Sequence, residues 1–239
     1  MSAPDFFRQQ QQAFAATLAQ QAGAATLAAQ LLAQAADSFA ANVAQQCADE
    51  PPLACCRGCA TCCTLRVSAT APEVLAVAAF LRAVQPRLLS RGIDLVGQVR
   101  AADAATHGLG EAQRVALRQR CPFIAQGVCV IYAVRPLACR GHASHDLRAC
   151  AEAAAGRRDE VPFSPGHRLV RALVQGALQS ALRDAGLAWG AYELNAALLL
   201  ALDDDATEAA WLAGQDPLSG AALDDVPADE MTRVFDALK

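Results

Sequence analysis

Cys55-Cys56-Arg57-Gly58-Cys59-Ala60-Thr61-Cys62-Cys63 sets five cysteines in nine residues. The core of this run reads C-x₂-C-x₂-C-C, through Cys56, Cys59, Cys62 and Cys63. Two-residue gaps let consecutive thiolates converge on one point while intervening backbone N–H groups turn toward the sulfurs, a geometry suited to a metal ion or an iron–sulfur cluster. Disulfides suit it poorly, because adjacent cysteines such as Cys62 and Cys63 pair only under severe strain. The run therefore reads as a metal-bearing loop, and the flanking segments must build the fold around it.

Those segments read as helices. Residues 5–46 are rich in Ala and Gln, with Phe7, Phe14, Leu18, Ala25, Leu32 and Phe39 at steps of seven and four. This predicts one long helix or a helical hairpin bent near Gly23, acting as a packing helix or a dimerisation arm. Asp49-Glu50-Pro51-Pro52 ends it. After the cysteine run, Thr70-Ala71-Pro72-Glu73 has the cap, early proline and third-position glutamate of a helix start. That helix carries Val74, Leu75, Val77, Ala78 and Leu81 and is expected to end near Pro86. Residues 87–110 are mixed, Glu111 to Arg120 suit a helix, and 121–150 look loop-rich with Val128 to Tyr132 as a short strand. From Leu169-Val170 to Ala181-Leu182, apolar pairs recur every four residues, a core-facing helix. A buried helix at about 191–202 and short helices at about 205–213 and 228–238 complete the chain. The expected fold is mainly α, a helical bundle around a loop-rich cysteine centre with little or no β. Three parts are expected: a helical arm over 1–50, a cysteine-cluster metal-binding domain over 51–160, and a helical region over 161–239 packing on the same core.

Composition narrows the function. The 239 residues are 54% apolar, a figure inflated by alanine, and carry a net charge of −4 with pI near 5.5. No broad basic surface is implied, which argues against nucleic-acid binding. The start, Met1-Ser2-Ala3-Pro4-Asp5, lacks the charged and apolar regions of a secretory signal, and the apolar stretch Ala196–Leu202 is too short for a membrane span. A cytoplasmic location is expected, where thiols stay reduced, so ten cysteines point to metal rather than disulfides. P-loop, G-x-S-x-G and H-E-x₂-H motifs are absent, and nothing identifies a nucleotide or S-adenosylmethionine site.

Four more cysteines lie downstream: Cys121 in Cys121-Pro122-Phe123-Ile124, Cys129 in Cys129-Val130-Ile131-Tyr132, Cys139 in Arg135-Pro136-Leu137-Ala138-Cys139-Arg140, and then Cys150. With the first run, these blocks resemble the YkgJ-type cysteine-cluster family, described as a zinc- or iron-chelating domain. The resemblance covers about residues 52–152. It implies metal-site cysteines at Cys56, Cys59, Cys62, Cys63, Cys121, Cys129, Cys139 and Cys150. Ile124 stands where the family usually has Leu, and Cys47 and Cys55 are extra to the pattern.

Eight thiolates can fill two Cys₄ sites, one [4Fe–4S] cluster plus a zinc, or a larger multinuclear site. The C-x₂-C-x₂-C spacing and the Cys121-Pro122 pair lean toward iron–sulfur, and the resemblance leaves zinc and iron open. Arg57, Arg66, Arg120, Arg135 and Arg140 lie among the cysteines and can offset thiolate charge, with Arg135 and Arg140 best placed around Cys139. His142 and His145 follow Cys139 and are chemically suitable ligands, although the cysteines already suffice. Cys47 and Cys55 read as spare or inert thiols, and His107 and His167 have no special context. The leading expectation is a cytosolic metal-binding protein using zinc or iron, with metal ions as partners, no nucleic acid or membrane, and a homo-oligomer through the N-terminal helix as an option. The alternatives are a metal-cluster-dependent protein-modifying enzyme related to flagellin lysine N-methylases, and a redox or metal sensor.

Overall fold

The N-terminal segment takes the hairpin alternative: α1 (Ala3–Gln20) and α2 (Leu27–Gln46) are joined by a turn in which Gly23 has φ of 74°. A computed structural model describes the chain over residues 2–56 and 58–239. Phe7, Phe14, Leu18, Leu32 and Phe39 are buried as the spacing predicts, while Ala25 lies exposed in the turn. Both helices pack on α8 (Pro165–Asp184), and α2 also packs on α3 (Ala71–Leu89).

Helix α3 follows β1 (Ser68–Thr70) and opens with the capping box expected at Thr70 and Glu73. It runs past Pro86 rather than ending there. Pro86 lacks an N–H to donate, but its carbonyl still accepts from Ser90 N at 3.2 Å, so the last turn survives. Helix α4 (Leu95–Thr106) occupies part of the segment that looked irregular in sequence. Asp94 caps it by accepting from Gly97 N at 2.9 Å. Helix α5 (Glu111–Leu117) stops short of Arg120 because Arg118 turns left-handed, with φ of 55°.

The expected strand at 128–132 is only the second arm of a small hairpin, β2 (Ile124–Ala125) with β3 (Val128–Cys129). Helices α6 (Leu137–Gly141) and α7 (Leu147–Ala154) follow, then α8. Val170, Val174, Ala177, Leu178, Ala181 and Leu182 of α8 are buried, but Leu169 is half exposed, so the outer member of the first pair faces away from the core. Residues 191–193, expected to be helical, form β4 (Ala191–Glu193) and pair antiparallel with β1. Helix α9 (Leu194–Asp203) starts only after them, followed by α10 (Thr207–Leu212) and α11 (Ala228–Leu238). Among the described residues the protein is mainly α, with eleven helices and two two-stranded sheets. One apolar core joins residues of α1, α2, α3, α8 and α9 to Phe123, Ile131 and Leu137 of the cysteine segment. No helix among the described residues is long and apolar enough to cross a membrane.

Candidate metal centre

A backbone hydrogen bond joins the two cysteine groups, and a buried carboxylate ties the segment that carries Cys139 to α3. Tight turns shape the first group: Cys59 N donates to Cys56 O at 3.0 Å, Cys63 N to Ala60 O at 3.1 Å and Leu65 N to Cys62 O at 3.2 Å. The groups meet where Cys121 N donates to Cys63 O at 2.8 Å. The β2–β3 hairpin then brings Cys129 back toward Cys121. Its two-residue turn, Gln126-Gly127, has φ of 50° and 80°, as a tight hairpin whose twist matches its strands requires.

Cys139 is positioned from α3. The Glu73 side chain is completely buried; Oε2 accepts from Thr70 N at 2.7 Å and from Thr70 Oγ1 at 2.9 Å, closing the capping box. Its other oxygen, Oε1, accepts from Leu137 N at 2.7 Å, satisfying a free first-turn N–H of α6, the helix that carries Cys139. Burial pushes the Glu73 carboxyl up, against the pull of these donors. Cys150 is carried by α7, which Asp146 caps by accepting from Ala149 N at 2.9 Å.

Burial pushes several of these thiols up. Cys121 is raised to about 11 by burial, with Cys129 and Cys62 adding repulsion, and Cys139 to about 12 by burial, with Cys121 and Cys129 adding more. Cys62 is raised most strongly, first by its hydrogen bond with Cys63 and then by burial. Backbone N–H groups of Phe123 and Ile131 turn toward the sulfurs of Cys121 and Cys129, each two residues ahead of its cysteine. Cys55 is exposed, and Ser144 N donates to its sulfur at 3.4 Å. Cys56 is exposed.

Of the arginines, Arg135 is the one set among the sulfurs. It acts favourably on Cys62, Cys129 and Cys139, lies 4.0 Å over the Tyr132 ring, and leaves its buried Nε without a hydrogen-bond partner. A guanidinium near these thiols, with one buried N–H unpaired, fits a centre that carries negative charge when the thiols ionise around a cation. Arg140 spends its donors on the carbonyls of Arg135 and Ala133, at 3.0 and 2.9 Å. Arg66 pairs with Glu111 and Asp225, Arg120 is exposed, and Arg57 lies outside the described residues. His142 packs on Phe163 with ring centroids 4.5 Å apart, and burial lowers its pKa. His145 turns elsewhere, toward Glu50 at 3.3 Å.

No three cysteine sulfurs among the described residues lie within 4.8 Å of one another; the group that does is Cys47, Glu50 and His167. Glu50 and His167 carried no signal in the sequence, because neither belongs to a motif and His167 reaches Cys47 only through packing. The pattern Ser164-Pro165-Gly166 at a helix start was the one available hint. Cys47 caps the end of α2, and its Sγ lies 3.4 Å from His167 Nδ1.

The donor set of the cysteine centre, soft thiolates with a guanidinium beside them, fits zinc or iron. Comparison with curated proteins and with solved structures gives no match. Residues 55–155 match the family model described as "CxxCxxCC: Putative zinc- or iron-chelating domain", the cysteine-cluster family that the motifs of this segment resemble.

Proposed function

We propose that the protein binds zinc or iron through thiolates drawn from both cysteine groups, Cys56, Cys59, Cys62 and Cys63 with Cys121, Cys129, Cys139 and Cys150. The observation that carries this reading is the junction between groups far apart in sequence: Cys121 N bonds Cys63 O at 2.8 Å while Arg135 acts on Cys62 from the first group and on Cys129 and Cys139 from the second. Bound metal would supply the positive charge that lets buried thiols ionise, and the chain's own part is to hold them, orient N–H groups toward sulfur and exclude water. The cysteine spacing favours an iron–sulfur centre over isolated zinc sites.

Anaerobic purification followed by absorption spectroscopy and metal and sulfide analysis tests the reading. Broad visible absorbance with iron and sulfide identifies a cluster, and a colourless protein with stoichiometric zinc identifies thiolate zinc sites. Cys59→Ser and Cys139→Ser should each release metal. Unchanged metal content in both would refute a centre built from the two groups.

A further inference from the structure

We propose that Cys47, Glu50 and His167 form a second, separate site for a zinc-type divalent cation, outside the segment that carries the cysteine centre. Their ligand atoms all lie within 4.8 Å of one another. Cys47 Sγ is 3.4 Å from His167 Nδ1. Two ligands on one tetrahedral zinc, with Zn–S of about 2.3 Å and Zn–N of about 2.0 to 2.1 Å, stand about 3.6 Å apart, so the sulfur and nitrogen already have the right spacing. One thiolate and one carboxylate would neutralise a divalent cation, and the mixed S, N and O donors suit zinc better than magnesium or calcium.

His167 comes from a distant part of the chain to meet Cys47 and Glu50, and the group is held from several sides. A turn ties the first two, with Glu50 N donating to Cys47 O at 3.1 Å. Gly166 N donates to Glu50 Oε1 at 2.8 Å, fixing the carboxylate over the first turn of α8. His145 Nε2 lies 3.3 Å from Glu50 Oε2, beside the three ligand atoms rather than among them. His167 is buried and packs edge-on against Phe39, with centroids 5.9 Å apart. Gly166 makes room for the group: a Cβ there would collide with Cys47 Sγ and stand 2.8 Å from Glu50 Oε1. The chain accepts a poor helix former inside the helix to bring a thiol and a carboxylate together.

The competing account is a hydrogen-bonded cap. Ser164 Oγ, the N-cap of α8, donates to Glu50 and lies 2.7 Å from His167 Nδ1, and the same hydroxyl accepts from His167 N at 3.1 Å. If Nδ1 carries a proton for Ser164, it cannot take a metal; if it is free, the cation joins it to Cys47 and Glu50. The two accounts differ in what they bind.

The test compares zinc retained after gel filtration by the full chain and by two variants, Cys47→Ser and Glu50→Gln. The glutamine keeps one acceptor for Gly166 N–H and offers an amide N–H to Ser164 Oγ, whose own hydrogen can turn to His167, so a hydrogen-bonded cap can persist. Each variant should hold one zinc per chain fewer than wild type, and cobalt titration should lose the absorption bands of one mixed-donor site. Circular dichroism checks that helix content is unchanged, and should Cys47→Ser unfold, Glu50→Gln decides the matter. Equal zinc in wild type and a folded Glu50→Gln variant means a hydrogen-bonded cap only and overturns the proposal. Because the readout is a difference of one ion, it does not depend on what the cysteine centre holds. Loss of metal in Cys59→Ser and Cys139→Ser reports on that centre alone.

Discussion

Replacing Glu73 should loosen the start of α3 and the cysteine centre together, because one buried carboxylate serves both. In Glu73→Ala, three hydrogen bonds disappear: those from Thr70 N, Thr70 Oγ1 and Leu137 N. Thr70 and Leu137 are fully buried, so water cannot readily take over the two backbone N–H groups left behind. Each such orphan costs about 1 to 3 kcal/mol, and part of that is returned because the carboxylate no longer has to be desolvated. With the small cavity added, the net loss should be about 3 to 4 kcal/mol, a large share of an ordinary domain's stability. Glu73→Gln keeps one acceptor for Leu137 N but turns an amide N–H₂ toward Thr70, and should cost about 2 kcal/mol. Urea unfolding of the metal-free chain, with equal m values across the three proteins, measures these differences.

The pH dependence carries a second check. Burial raises the folded carboxyl above its ordinary value of 4.5, so the folded state holds the proton more tightly than the unfolded chain. The contribution of Glu73 is therefore fully present below the ordinary value and is lost as pH rises through the folded one. The gap between wild type and Glu73→Gln should narrow on going from acid toward neutral pH. An Ala variant within about 1 kcal/mol of wild type, or a gap that widens as pH rises, would refute the reasoning.

Three further outcomes follow from the same geometry. Gly127→Ala places a side chain at φ of 80° in the β2–β3 turn, should cost about 1 to 2 kcal/mol, and should weaken metal retention because Cys129 ends that hairpin; equal chelator resistance would sink the link. Arg135→Met removes the guanidinium facing Cys62, Cys129 and Cys139 and should lower metal affinity about 10- to 100-fold, read by chelator competition, with affinity unchanged if the arginine is a bystander. Stripping metal with a chelator should lower the thermal midpoint and loosen residues 55–155 more than the α1–α8 packing, a contrast that hydrogen exchange resolves by segment.

Much of the fold could be read locally. The Thr70–Glu73 box, the apolar pairs of α8 and the glycine bend at Gly23 each express a constraint within a few residues, and each appears in the structure where its pattern lies. Helix α4 was not legible, because Gly92, Gly97 and Gly108 look like breakers, whereas Gly97 donates to the Asp94 cap and the other two lie outside the helix. The strand β4 was hidden for the opposite reason. Residues 191–193 are apolar enough for a helix, and only pairing with β1 makes them extended.

The sequence by itself determined the chemistry of this protein: cysteines at metal-ligand spacing, family blocks in order, and helices on either side. Tertiary structure alone decided the company those residues keep. It joined Cys63 to Cys121, set Arg135 among the sulfurs, gave Glu73 a second task at Leu137, and carried His167 to Cys47 and Glu50. The physical reason is range. Spacing along a chain governs what neighbours within a turn or loop can do, but contacts across more than a hundred residues exist only once α2 has packed on α8 and buried the apolar faces that bring them together.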